Sequence, residues 1–138
     1  MESYQHALIS AVISPLLLFY VFGISGMSMI LLSAYGVFIG VFIDLDHFLM
    51  QRILNGNWDD VKKTVENPVK MVFDNMSLRT DPIEPWSRLL SHFAILALFP
   101  AAIYIFDTAL AEFSFLILFA HILCDLYAGW RNDKLLFH

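Results

Sequence analysis

Four long apolar runs dominate the chain. Each is close to the roughly 20 residues a helix needs to cross the hydrocarbon of a bilayer, within a working range of about 17–25. The first covers about 6–22 and the second about 27–43, and Gly23-Ile24-Ser25-Gly26 breaks the chain between them. The third covers about 89–106 and the fourth about 108–127. From Ser3 to Ile43 there is no Lys, Arg, Asp or Glu. A few residues join the members of each pair, so each pair is predicted to form an antiparallel hairpin. The expected fold is an all-α integral membrane protein: one membrane domain, residues 1–138, with four transmembrane helices in two hairpins.

Between the hairpins lies a polar stretch, about 49–88. Asn55-Gly56-Asn57 is a turn signal, and Trp58-Asp59-Asp60 can open a short helix because acidic residues favour a helix N-terminus. That helix carries Val61, Lys62, Lys63 and Val65 and is predicted to end near Asn67-Pro68. Pro82 and Pro85 mark extended chain before the third span. With Trp58, Met71, Phe73 and Trp86 the stretch is amphipathic and is expected at the membrane interface.

Composition strengthens the membrane reading. Hydrophobic residues make up 59% of the chain and charged residues 15%, and the mean hydropathy is +0.67. A soluble domain usually has about 45–50% apolar and about 25% charged residues. The net charge of −5 argues against a nucleic-acid partner. The single cysteine, Cys124, excludes an internal disulfide. The opening MESYQHALIS lacks the basic region and cleavage pattern of a signal peptide, so the first helix is expected to be retained.

Charge placement then sets the orientation. Arg52, Lys62, Lys63, Lys70, Arg79 and Arg88 lie in the long loop, and Arg131 and Lys134 follow the fourth run. Four spans put all of these on one side, whereas an odd number would split them. Short loops rich in Lys and Arg stay in the cytoplasm. The expectation is a multi-pass protein of the cell's inner membrane, with both termini and the amphipathic loop cytoplasmic.

This topology gathers the polar residues of the spans at one depth. His6 opens the first span, and Asp44, Asp46 and His47 close the second. His92 stands one turn into the third, and His121 and Asp125 lie in the last turns of the fourth. Each is at the cytoplasmic end of its helix. His121 and Asp125 are four apart and share a face, as do Asp44 and His47, three apart, if helix two continues through them. Asp46 then points elsewhere unless the helix ends within the motif.

Imidazole with carboxylate suits a divalent metal, zinc first, with manganese or iron as alternatives. His6, Asp44, His47, His92, His121 and Asp125 are the candidate ligands, enough for one ion or two. Two ions could activate water and clamp both oxygens of an ester. The bland reading of His6 alone is an interface residue, and Asp44 and Asp46 alone could simply mark where a helix leaves lipid. Ionisable groups inside a span are costly, which makes His121 and Asp125 functional candidates or, failing that, a structural pair joining helices. Elsewhere, Gly36 and Gly40 fit the small-xxx-small pattern of close helix packing. Cys124 reads as a packed thiol, Pro100 as a tolerated kink, and Glu112 as an outer-surface residue.

Three short motifs carry a family resemblance. Ile43-Asp44-Leu45-Asp46-His47 resembles the PDxDH motif of the membrane-bound metal-dependent hydrolases, the group containing the LexA-regulated inner-membrane proteins. Ser87-Arg88-Leu89-Leu90-Ser91-His92-Phe93 is similar to that group's HRGxTHS, and His121 through Asp125 to its closing HxxxD. An early histidine such as His6 fits as well. Ile43 stands where the family has Pro, Ser87 replaces its first His, and Phe93 its final Ser. The resemblance implies a metal-dependent hydrolase, expected to act on a phosphoester or lipid head group at the cytoplasmic face. Asp46 is then the candidate general base or bridging ligand, and Arg88, with Arg131 second, the candidate anchor for an anionic substrate. Membrane lipid is the expected partner. The alternative is a non-catalytic accessory subunit of a larger membrane complex, in which the His/Asp cluster is structural. The departures at Ser87 and Phe93 keep that alternative open.

Overall fold

The computed structural model describes residues 3–46, 56, 58–67 and 85–131. These residues are helical, with no strand among them: α1 (Ser3–Tyr20), α2 (Gly26–Phe42), a single 3-10 turn (Ile43–Leu45), the short α3 (Asp59–Glu66), α4 (Pro85–Tyr104) and α5 (Thr108–Arg131). The four long helices fall where the four apolar runs predict them. α4 starts one turn earlier than expected, at Pro85. A proline in the first turn sacrifices no internal hydrogen bond, and its fixed φ suits a helix start. α3 is the short helix expected after Asn57; apart from Gly56, Trp58, Asn67 and the first turn of α4, the rest of the amphipathic loop lies outside the described residues.

The two hairpin turns are built differently. Gly23 adopts φ +65°, and Ile24 N–H reaches back to the Leu18 carbonyl at 2.8 Å. A left-handed residue at this point costs glycine little and ends the helix sharply. The second turn relies on a side chain. Asp107 Oδ1 accepts the Leu110 N–H at 2.9 Å, which caps the start of α5.

α5 is the central helix. It packs against α1, α2 and its own hairpin partner α4, while α1 packs closely on α2. Leu18, Ile39, Ile43, Leu96, Phe113, Ile117, Leu118 and Ile122 form the buried core. The α1–α2 contact is set by small residues. A methyl group on Gly36 would overlap Ser14 Oγ and lie 3.1 Å from Phe113 Cζ. On Gly40 it would overlap Ser10 Oγ and lie 3.2 Å from Ser10 Cβ. Two serines four apart thus dock on two glycines four apart, the close approach that small-xxx-small spacing allows.

The bundle buries polar residues beside its apolar core and leaves large apolar side chains exposed. His6, Ser10, Ser14, Asp44, His92, Ser114 and His121 are buried, while Leu8, Val12, Leu16, Phe19, Ile30, Phe38 and Leu98 are exposed. Among the described residues, one helical stretch, Thr108–Trp130, is long and apolar enough to cross a membrane by length and composition. The shorter apolar stretches are Tyr4–Tyr20, Gly26–Phe42 and Leu89–Tyr104.

Candidate metal centre

The buried histidines and Asp44 collect at the end of the bundle where α1 and α4 begin and α2 and α5 finish. Each helix delivers its part for a local reason. His6 lies one turn into α1, on the face that continues through Ser10 and Ser14 against α2. His92 lies in α4 four residues before the core residue Leu96, so the packing of Leu96 fixes the same face. On α5, Ile117, Leu118 and Ile122 are core residues, and His121 and Asp125 continue their buried face.

The end of α2 is the decisive local feature. The helix tightens into the 3-10 turn Ile43–Leu45, and Asp46 N–H donates to the Ile43 carbonyl. Residues advance about 120° per step in a 3-10 turn, against about 100° in an α-helix. Asp44 and Asp46 therefore leave the backbone in directions that both reach His92, from opposite sides of its ring.

His6, Asp44, His121 and Asp125 each offer a ligand atom, all within 4.8 Å of one another. His6 Nε2 lies 3.1 Å from Asp125 Oδ1. His121 Nε2 lies 3.5 Å from Asp44 Oδ1 and 3.6 Å from Asp125 Oδ2. His92 turns its own Nε2 to the same two carboxylates, 3.4 Å from Asp125 Oδ2 and 4.0 Å from Asp44 Oδ1. The rings of His6 and His121 stack at 3.7 Å between centroids, 19° from parallel. His92 meets His121 nearly edge-on at 5.2 Å.

The outer nitrogens settle the tautomers of two imidazoles. His121 Nδ1 lies 2.8 Å from the Gly40 carbonyl. A carbonyl only accepts, so Nδ1–H donates, and in the neutral ring Nε2 carries the lone pair. His92 Nδ1 lies 2.8 Å from Asp46 Oδ2, and the same reasoning turns its Nε2 inward. This is how metal-ligating histidines are commonly held: one nitrogen toward the ion, the other donating to a carbonyl or carboxylate.

The spacing also fits. Bonds of about 2.0–2.2 Å place neighbouring donors about 3.3–3.6 Å apart in a tetrahedral shell. Separations of 3.4, 3.5 and 3.6 Å match that edge and are long for strong hydrogen bonds. His121 Nε2 is buried and has no hydrogen-bond partner among the described residues. Asp44, Asp46 and Asp125 bring three negative charges into a region where Asp44 is 2% exposed. Removing carboxylates from water demands compensating positive charge. Protonated histidine or a divalent cation on these nitrogen and oxygen donors can meet that demand, so this buried His/Asp group could hold a metal.

Among the residues singled out by sequence, His6, Asp44, His92, His121 and Asp125 come together, and Asp46 joins them through His92. His47 lies outside the described residues. Arg88 stands one turn before His92 in α4, and Arg131 ends α5; their side chains lie outside the described part of the structure. Sequence reasoning missed the Gly40 carbonyl as a partner of His121, because backbone acceptors leave no signature in residue type. It also missed Ser10 and Ser14, although their four-residue spacing from His6 marks one polar face on an apolar helix.

No protein-family model, curated protein or solved structure matches this chain. The motifs in the chain and the geometry of the cluster are therefore the grounds for assigning it a function.

Proposed function

We propose that this protein is a metal-dependent hydrolase of the inner membrane, acting on a phosphoester or lipid head group at the cytoplasmic face. The observation that carries the reading is the convergence of three imidazoles and two carboxylates from both hairpins. The outer nitrogens of His92 and His121 are already engaged, and their inner nitrogens face Asp44 and Asp125.

The exposed apolar faces around buried polar residues support membrane embedding. A helix apolar on all sides belongs in a large core or in lipid, and a bundle of four long helices offers no large core. α1 and α2, 18 and 17 residues long, reach about 26 Å. That is a few ångströms short of a hydrocarbon core of about 30 Å, a mismatch that bilayers accommodate by thinning. The positions of Lys and Arg favour a cytoplasmic location for the cluster and both termini.

Zinc, or alternatively manganese or iron, would supply a Lewis acid and lower the proton affinity of water at the site. The chain's own part is to bind and orient. Asp44 and Asp125 supply the anionic donors, His92 and His121 the neutral ones, and His6 directs Nε2 at Asp125. The core residues Ile43, Leu96 and Leu118 pack on the inner side of the cluster, where they would exclude bulk water. Arg88, one turn from His92, is the candidate contact for an anionic substrate group.

The test is hydrolysis by the detergent-purified protein of an activated phosphodiester and of phospholipids in mixed micelles, with and without chelator. Turnover that disappears with chelator, returns with zinc and is absent in H121A, with membrane insertion unchanged, supports the proposal. A metal-loaded protein that hydrolyses none of these, and purifies in a stable complex with larger membrane subunits, would favour the accessory-subunit reading.

A further inference from the structure

We propose that Asp46 is a positioning residue that acts on the metal through His92, not a ligand or a general base. The proposal rests on the metal-site reading and assigns the two carboxylates of one short segment to different tiers of the same site.

Geometry separates the two carboxylates. Asp46 Oδ2 sits 2.8 Å from His92 Nδ1, whereas Asp44 and Asp125 face His92 Nε2. The two nitrogens of an imidazole point away from each other across the ring. An oxygen hydrogen-bonded to Nδ1 therefore stands on the far side of the ring from an ion bound at Nε2. It cannot share that ion, nor reach the atoms reacting beside it. The 3-10 turn produces this division, because its tighter step swings Asp46 round His92 while Asp44 remains with His121.

His92 is 1% exposed and the Asp46 side chain 7%, so water does not readily replace this contact. A carboxylate on Nδ1–H fixes the tautomer, locks the ring and makes Nε2 a stronger donor. The Gly40 carbonyl does the same for His121 with a neutral acceptor.

The experiment measures zinc affinity of the full-length protein in detergent, by competition with a chelating dye, and the visible spectrum of its cobalt form. The variants are D46N, D46L and D46E. Asn keeps an acceptor and loses the charge, Leu loses both, and Glu keeps both. Loss of such an outer partner typically weakens metal binding about 10–100-fold. D46L should fall in that range, D46N should fall less, and D46E should recover most of the affinity. All three should keep the wild-type metal stoichiometry and the cobalt bands of the wild-type coordination number.

Wild-type affinity in D46N and D46L would overturn the assignment. So would loss of an equivalent of metal or a changed coordination number in D46N, either of which would make Asp46 a ligand. If D46L fails to fold, the near-isosteric D46N decides alone. Wild-type protein that binds neither zinc nor cobalt would instead overturn the metal reading, and this proposal with it.

Discussion

Gly40 serves two purposes at once, and replacing it with alanine separates them. Its missing side chain lets Ser10 of α1 close onto α2, and its carbonyl holds His121 Nδ1 at 2.8 Å. The added methyl overlaps Ser10 Oγ, the main obstacle, and lies 3.2 Å from Ser10 Cβ. Overpacking of this kind costs about 1–3 kcal/mol. Alanine returns about 1 kcal/mol over glycine within a helix. The net loss should be about 0–2 kcal/mol, read as a shifted unfolding midpoint in detergent micelles titrated with SDS. The G36A variant meets Ser14 in the same way and should lose a similar amount.

The two variants part at the metal. As α2 moves off α1 in G40A, the carbonyl shifts relative to His121, and zinc affinity should fall by up to the about 10–100-fold expected when an orienting partner is lost. Affinity in G36A, whose carbonyl does not hold a histidine, should stay near wild type. Adding S10A to G40A removes the overlapping hydroxyl and should restore both stability and affinity. Equal metal affinity in G40A and wild type, alongside a clear loss of stability, would refute the role given to the carbonyl. A G40A protein that S10A does not rescue would refute the close α1–α2 contact.

Single contacts lead to three more expected outcomes. Ser114 Oγ donates to the Leu110 carbonyl at 2.7 Å, so its bond of 2.8 Å with Tyr35 must take the proton from the tyrosine; Y35F should cost about 0.5–1.5 kcal/mol of stability and leave zinc binding unchanged in the same assays. D107A removes the cap on α5 and should cost about 0.5–2 kcal/mol by SDS titration, again without effect on metal. For topology, a cysteine at Gly56 in a Cys124-free background should resist a membrane-impermeant maleimide added outside spheroplasts, whereas one at Phe106 should react; the reverse pattern would invert the orientation.

Helix positions are readable from the sequence because apolar length and glycine or acidic breaks determine them with few competitors. The convergence at one end is also readable, since two antiparallel hairpins bring His6, Asp44, His92, His121 and Asp125 to the same end of the bundle. The close approach at Gly36 and Gly40 follows from spacing, but its partners do not. Ser10 and Ser14 are ordinary in composition and become informative only once α1 is seen facing α2. The position of Asp46 is not readable because it depends on a change of helix type over three residues, Ile43–Leu45. Uniform α-helical spacing turns Asp46 away from Asp44 and gives no reason to find it on the back of His92.

The central claim is that these side chains hold a metal ion, and elemental mass spectrometry of the detergent-purified protein tests it most directly. The wild-type chain should carry zinc, manganese or iron at one or two equivalents, and the H92A/H121A double variant, inserted and folded as the wild type, should carry none. No metal in wild-type protein purified from metal-supplemented buffer, or the same metal in the double variant, would contradict the account.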